Sequence, residues 1–199
     1  GLANEPASLL AEKLISAANP SDCELRNAND GSKKRPGRVS STAPRQLAKV
    51  FFSDDGSTAM EVALKLAYEF ARRTGFSQRP RFLSLSGAYH GDTVGAVSLG
   101  HIDLFHKAYS GLLFKSDAVM SPYCYRCPFN RAKPERADAR QYRRCHWECV
   151  GRVERKFLAQ KKSGNPYAAM VGEPLLQGAA GLIPQPEGWL RRVAEIVRG

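Results

Sequence analysis

From Glu5 to Ala18 the apolar side chains Leu9, Leu10, Leu14 and Ala17 recur at helical spacing, and Pro20 closes the segment. This predicts an amphipathic helix. Ser21 to Pro44 has few large apolar side chains and many Asn, Asp, Gly, Ser, Lys and Arg, the composition of a long flexible insertion. Leu47 to Phe52 then resumes as a short β-type run, and Ser53-Asp54-Asp55-Gly56-Ser57 is turn chemistry leading into a second helix. Thr58-x-x-Glu61 has the form of a capping box, which predicts the start of that helix. Ala59, Ala63, Leu66, Ala67 and Phe70 form its expected apolar face. Its end is expected around Arg72-Arg73-Thr74-Gly75, with cations in the last turn and Gly just beyond it.

Further along, Arg81 to Ser86 reads as a strand, Gly87 to Asp92 as a turn, and Ala168 to Gly172 as another strand ending at Glu173-Pro174. An amphipathic helix opens at Cys145–Cys149 and runs through Val150, Val153, Phe157 and Leu158. A final helix over Glu187–Arg198 carries Trp189, Leu190, Val193 and Val197 at helical offsets. Strands alternating with helices argue for an α/β fold with a mostly parallel sheet covered on both faces. In such sheets, loops at the carboxyl ends of strands build the binding site. That rule directs attention to Asp54–Thr58, Gly87–Asp92 and Glu173–Gly178 together. The expected organisation is an N-terminal helical segment over 1–20, a basic insertion over 21–46 and a partial domain over 47–199, with a Cys/Arg-rich excursion at 121–162.

Composition narrows the class. The chain has 199 residues, with 43% hydrophobic and 25% charged side chains, enough to bury a core without disulfides or metals as staples. No apolar run reaches the roughly 20 residues of a membrane helix, and no basic flank precedes an apolar stretch at the start, so a cytoplasmic address without membrane association is expected. Thirty Lys+Arg against 19 Asp+Glu leave a net charge of +11. The charge is concentrated: Gly31–Lys49 carries +6 and Arg126–Lys162 carries +8, so the remainder is mildly acidic. Both stretches read as solvated insertion loops rather than a nucleic-acid surface, since charge runs are usually exposed.

Gly56-Ser57-Thr58 stands between an extended run and a helix N-terminus, where free backbone N–H groups favour an anion such as phosphate. The same residues also serve as an ordinary connection. Tyr89, in Tyr89-His90-Gly91-Asp92, is placed either to stack on a planar ring or to pack on the core. Cys124-x-x-Cys127 and Cys145-x-x-x-Cys149 offer four soft ligands in two close pairs, as in structural zinc sites, against plain reduced thiols or a disulfide. Five cysteines, with Cys23 far from the other four, favour reduced thiols and no metal.

The segments VFFSDDGSTAMEVALKLAYEF, SLSGAYHGDTVGAVSLGHIDLFHKAYSGLLF, SPYCYRCPF and GEPLLQGAAGLIPQPEGWLRRV stand in an order that resembles the class III pyridoxal-phosphate aminotransferases, in particular their biotin-synthesis branch. The resemblance covers most of 1–20 and nearly all of 47–198. It implies the large domain of a fold-type I transferase, a homodimer, and pyridoxal 5'-phosphate as cofactor. It also implies S-adenosylmethionine as amino donor and 8-amino-7-oxononanoate as acceptor, giving 7,8-diaminononanoate. By the same resemblance Gly56 and Ser57 hold the cofactor phosphate, Tyr89 lies against the pyridine ring near the substrate, and Glu173 sits beside the site. The family's Schiff-base lysine and the Asp that pairs with the ring nitrogen come later than Gly199, so the chain is expected to be a fragment, inactive alone. The alternatives are another class III enzyme of ω-amino-acid or acetylornithine type, or a non-catalytic basic module with a four-cysteine zinc site.

Overall fold

A computed structural model of the protein describes residues 4–19, 46–132 and 143–199. The expected basic insertion and the middle of the Cys/Arg-rich excursion fall largely outside them. The chain divides into two compact units, Gly1–Phe52 and Ser53–Gly199.

In the first unit, helix α1 spans Glu5–Ala18, as its periodicity predicts. Asn4 caps it by accepting from the Ala7 N–H at 2.9 Å, and Pro6 sits in the first turn where no intrahelical donor is needed. Asn19 follows the helix and exchanges two side-chain hydrogen bonds with the Leu47 backbone. Leu9, Leu10 and Leu14 remain exposed. Leu47–Phe52 is not a strand: its backbone pairs with no ladder among the described residues, and Leu47, Phe51 and Phe52 are exposed. β-type composition alone does not form a strand without a partner edge.

The second unit holds a parallel three-stranded sheet. Strand β1 (Arg81–Leu85) is central, flanked by β2 (Asp117–Val119) and β3 (Tyr167–Met170). The other α-helices and strands are α2 (Gly56–Arg73), α3 (Val94–Leu99), α4 (Asp103–His106), α5 (Glu148–Lys162), a hairpin of two-residue strands β4 (Leu176–Gln177) and β5 (Ile183–Pro184), and α6 (Trp189–Arg198). Alternation along β1 sorts the layers. Leu83 and Leu85 join Val119, Tyr167, Val150 and Val153 of α5, and Trp189 and Val193 of α6, in one buried cluster. Phe82 joins Leu64 of α2 and Leu99 of α3 in a second. Ser84, buried at the α3 side, donates to the Leu99 carbonyl at 2.6 Å, which satisfies a polar group in the core. The expected α/β sheet with helices on both faces is therefore present.

Two details of α2 differ from expectation. Its N-cap is Asp55, whose carboxylate accepts from the Thr58 N–H at 2.8 Å while Thr58 Oγ1 accepts from the Asp55 N–H at 3.1 Å. The capping box is thus Asp55 with Thr58, and Glu61 has no part in it. The second is the face. Met60, Leu64, Ala67 and Ala71 turn toward the protein, whereas Ala59, Ala63, Leu66 and Phe70 are exposed, so the helix carries apolar residues on two sides and buries only one. Its end falls as predicted, with Thr74 as C-cap and Gly75 at φ +70°.

Candidate functional site

The carboxyl end of β1 leads into Ser86–Thr93, and that loop is the hub of the site. Gly91, at φ +122°, lies so close to α2 that a Cβ there would collide with Ser57 Oγ; only glycine fits both demands. The close approach lets the Asp92 N–H donate to Ser57 Oγ at 3.3 Å. Three residues before Asp92, the Tyr89 N–H donates to Glu173 Oε1 at 3.4 Å, and Glu173 Oε2 accepts from the Gly178 N–H at 2.7 Å. Gln185 closes the third loop by donating to the Glu173 carbonyl at 2.6 Å. Ser57, Tyr89 and Glu173 are therefore brought into one hydrogen-bonded series across three loops.

The Tyr89 ring packs against Phe105 of α4 with centroids 5.4 Å apart and planes tilted by 55°. Its hydroxyl donates to Asp92 Oδ2, and this bond raises the phenol above its ordinary range. His90, next along, is pushed below the ordinary imidazole range by burial, against the pull of Glu173 and with the push of His101. Its Nε2 is buried and has no hydrogen-bond partner among the described residues. Sequence reasoning places Asp92 in the site loop without a role and misses Phe105, because nothing in local spacing marks a partner that depends on the meeting of loops.

At the start of α2, Gly56 is exposed, and a Cβ there would meet nothing within 4 Å. Asp55 is held below the usual carboxylate range by the Thr58 backbone and hydroxyl, with a smaller contribution from the Ser57 N–H. Its charge already serves the Thr58 amide and, more weakly, that of Ser57, so the donors left for an anion here are the Gly56 amide and the Ser57 hydroxyl. That hydroxyl accepts from Asp92, which leaves its own hydrogen to be given away. These donors have the chemistry to meet a single phosphate group, and the Tyr89 side chain is linked to the same turn through Asp92.

A family model described as aminotransferase class-III matches residues 2–199. The chain belongs to the class III aminotransferases. It is 46% identical over 159 residues to the adenosylmethionine-8-amino-7-oxononanoate aminotransferase of Geobacter sulfurreducens, a match covering 80% of this chain and 33% of that protein. The crystal structure of the enzyme of that name from Methanocaldococcus jannaschii superposes with TM-score 0.67 at 29% identity, covering 98% of this chain and 33% of that one. A PLP-bound amine transaminase from an uncultivated Pseudomonas species superposes with TM-score 0.68 at 27% identity, over 98% of this chain and 36% of that one. The chain spans about a third of the length of the curated relatives it matches. These class III relatives establish the fold as that of the fold-type I PLP-dependent transferases, and pyridoxal phosphate as the family's cofactor.

Four of the five cysteines fall within the described residues. Cys124 and Cys149 are buried, Cys127 and Cys145 half-buried, and all four are free thiols. Asn130 holds the two pairs side by side, donating to the Cys124 carbonyl and accepting from the Arg144 N–H. Burial pushes Cys124 and Cys149 up to about 11. Among the described residues no group of three or more His, Cys, Asp or Glu side chains is placed to hold a metal ion. No described helix is long and apolar enough to cross a membrane.

Proposed function

We propose that the protein to which this chain belongs transfers the amino group of S-adenosylmethionine to 8-amino-7-oxononanoate, giving 7,8-diaminononanoate, as a cytoplasmic homodimer. The observation that carries this reading is the 46% identity to a relative of that name, together with the meeting of Ser57, Tyr89 and Glu173 at the loop after β1. Gly56 and Ser57 are assigned to the phosphate, and Tyr89 to one edge of the pyridine ring. Glu173 holds the Tyr89 loop against the Gly178 turn. Bound pyridoxal phosphate supplies an aldehyde that carries the amino group between substrates and a ring that accepts the electron pair left by a departing proton.

The lysine that anchors the cofactor is assigned to the part of the parent outside this chain, in keeping with the one-third span of its relatives. Lys65, the first lysine after the phosphate turn, is exposed on α2. The test is an assay of the full-length protein with S-adenosylmethionine and 8-amino-7-oxononanoate, following the diamine by mass spectrometry. Diamine formation supports the assignment. Turnover of ω-amino acids with 2-oxo acids, and none with this pair, overturns it.

A further inference from the structure

Glu61 is the feature of α2 that the cofactor reading leaves unused. Its side chain reaches across to the next helix, where Oε1 accepts from the Gly95 N–H at 2.6 Å and the Ala96 N–H at 3.2 Å. Those are among the orphan donors of the first turn of α3. The residue in the N-cap position of α3, Thr93, does not serve them: its hydroxyl makes no cap bond and is buried without a partner among the described residues. The carboxylate of another helix has taken the place of the local cap. The fit is close, since a Cβ at Gly95 would collide with Glu61 Oε2.

Glu61 follows Ser57 by four residues, one turn along α2, and Gly95 follows Asp92 by three. The Tyr89–Thr93 loop is thereby joined to α2 at two successive points: Asp92 on Ser57, and the start of α3 on Glu61. One contact alone leaves a hinge; two in series fix both distance and angle.

We propose that Glu61 is a positioning residue of the cofactor site, setting the Tyr89 ring at a fixed spacing from the phosphate-binding turn so that one ligand meets both at once. This rests on the assignment of Gly56, Ser57 and Tyr89 to pyridoxal phosphate. A preset spacing spares the ligand the cost of ordering the loop, so its loss weakens a ligand that bridges both points and spares one that touches only the turn.

The test measures dissociation constants of inorganic phosphate and of pyridoxal phosphate for the full-length protein by calorimetry, in wild type and in Glu61→Ala, Glu61→Gln and Gly95→Ala. Glu61→Ala is expected to weaken pyridoxal phosphate about tenfold while leaving inorganic phosphate within about twofold. Glu61→Gln, which keeps the acceptor oxygen, restores most of the loss. Gly95→Ala, which displaces the carboxylate without altering it, reproduces the loss. Far-ultraviolet circular dichroism, and hydrogen exchange at residues 92–96, confirm that α2 stays folded while the tether opens. Parallel weakening of both ligands, or no change in either, overturns the positioning role and leaves the cofactor assignment standing. A wild-type full-length protein in which phosphate does not compete with pyridoxal phosphate overturns both.

Discussion

The Tyr89 hydroxyl donates a 2.8 Å hydrogen bond to Asp92, the residue whose backbone N–H rests on Ser57. The side chain assigned to the ring and the hydroxyl assigned to the phosphate are thus one residue apart in a hydrogen-bonded series. Removing the phenol oxygen and removing the ring have different consequences. Tyr89→Phe keeps the contact with Phe105 and is expected to change pyridoxal phosphate affinity by less than about threefold. Tyr89→Ala also removes the aromatic surface and is expected to cost about tenfold, on the scale of one aromatic pairing. Equal losses in a fluorescence titration would show that the hydroxyl, and not the ring, matters.

Ser57→Asp places a carboxylate where the cofactor phosphate is assigned, next to the ionised Asp55. Two like charges at one helix end oppose a third. Retention of pyridoxal phosphate through gel filtration should fall sharply in the full-length protein, whereas Ser57→Thr should retain it. Identical retention in the Asp variant removes Ser57 from the phosphate site.

Burial depresses His90 and His101 below the ordinary imidazole range, with His106 the second cause at His101. In the unfolded chain both return to about 6.5. The unfolded state therefore binds more protons as the solution is acidified, and the stability that these residues contribute is present above about pH 6.5 and lost as pH falls through the folded values. The urea midpoint should decline from pH 7.5 to pH 5.5, and His101→Gln should flatten that decline. A midpoint that rises on acidification contradicts the neutral, buried state of these rings.

Cys124 and Cys149, at about 11, are almost wholly protonated at pH 8, and both are buried. The thiolate is the reactive form. Iodoacetamide at that pH should label Cys127 and Cys145 before the other pair, as read by peptide mapping. Preferential labelling of Cys149 would mean that the start of α5 opens in solution.

Leu83 is fully buried on the central strand, between the α5–α6 layer and its two neighbours in the sheet. Leu83→Ala should cost about 2–5 kcal/mol, the range for emptying a leucine site in a packed core, and chemical denaturation measures it.

Helix α1, the end of α2 and strand β1 were legible because their signals are local: periodicity, a C-terminal glycine, a run of β formers between turns. Leu47–Phe52 carried the same β signal, but a strand is a relation between two segments, and its composition could not supply the second one. Strand β2 escaped notice because three residues beginning with Asp117 show no alternation; what defines it is register against β1, with Asp117 tied to Tyr167 and Arg81. At the site, glycine and hydroxyl chemistry pointed to Gly56 and Ser57, and family resemblance to Tyr89 and Glu173. In sequence, Glu61 reads as a cap of its own helix. Its spacing from Thr58 fitted that role, and only the fold reveals that a neighbouring helix claims the carboxylate.

The second apolar side of α2 bears on how this chain behaves in a tube. Leu66 and Phe70, one turn apart, are 64% and 61% exposed, and Phe76 beyond the helix adds a third wet side chain. Such a stripe makes collisions between molecules adhesive, while a net charge of +11 makes them repulsive. The balance is set by ionic strength, because the repulsion is screened within about 10 Å at 0.1 M salt and the adhesion is not. Solutions of this chain should be clear in dilute buffer and cloud as salt is added, the reverse of what a polar surface of the same charge would do.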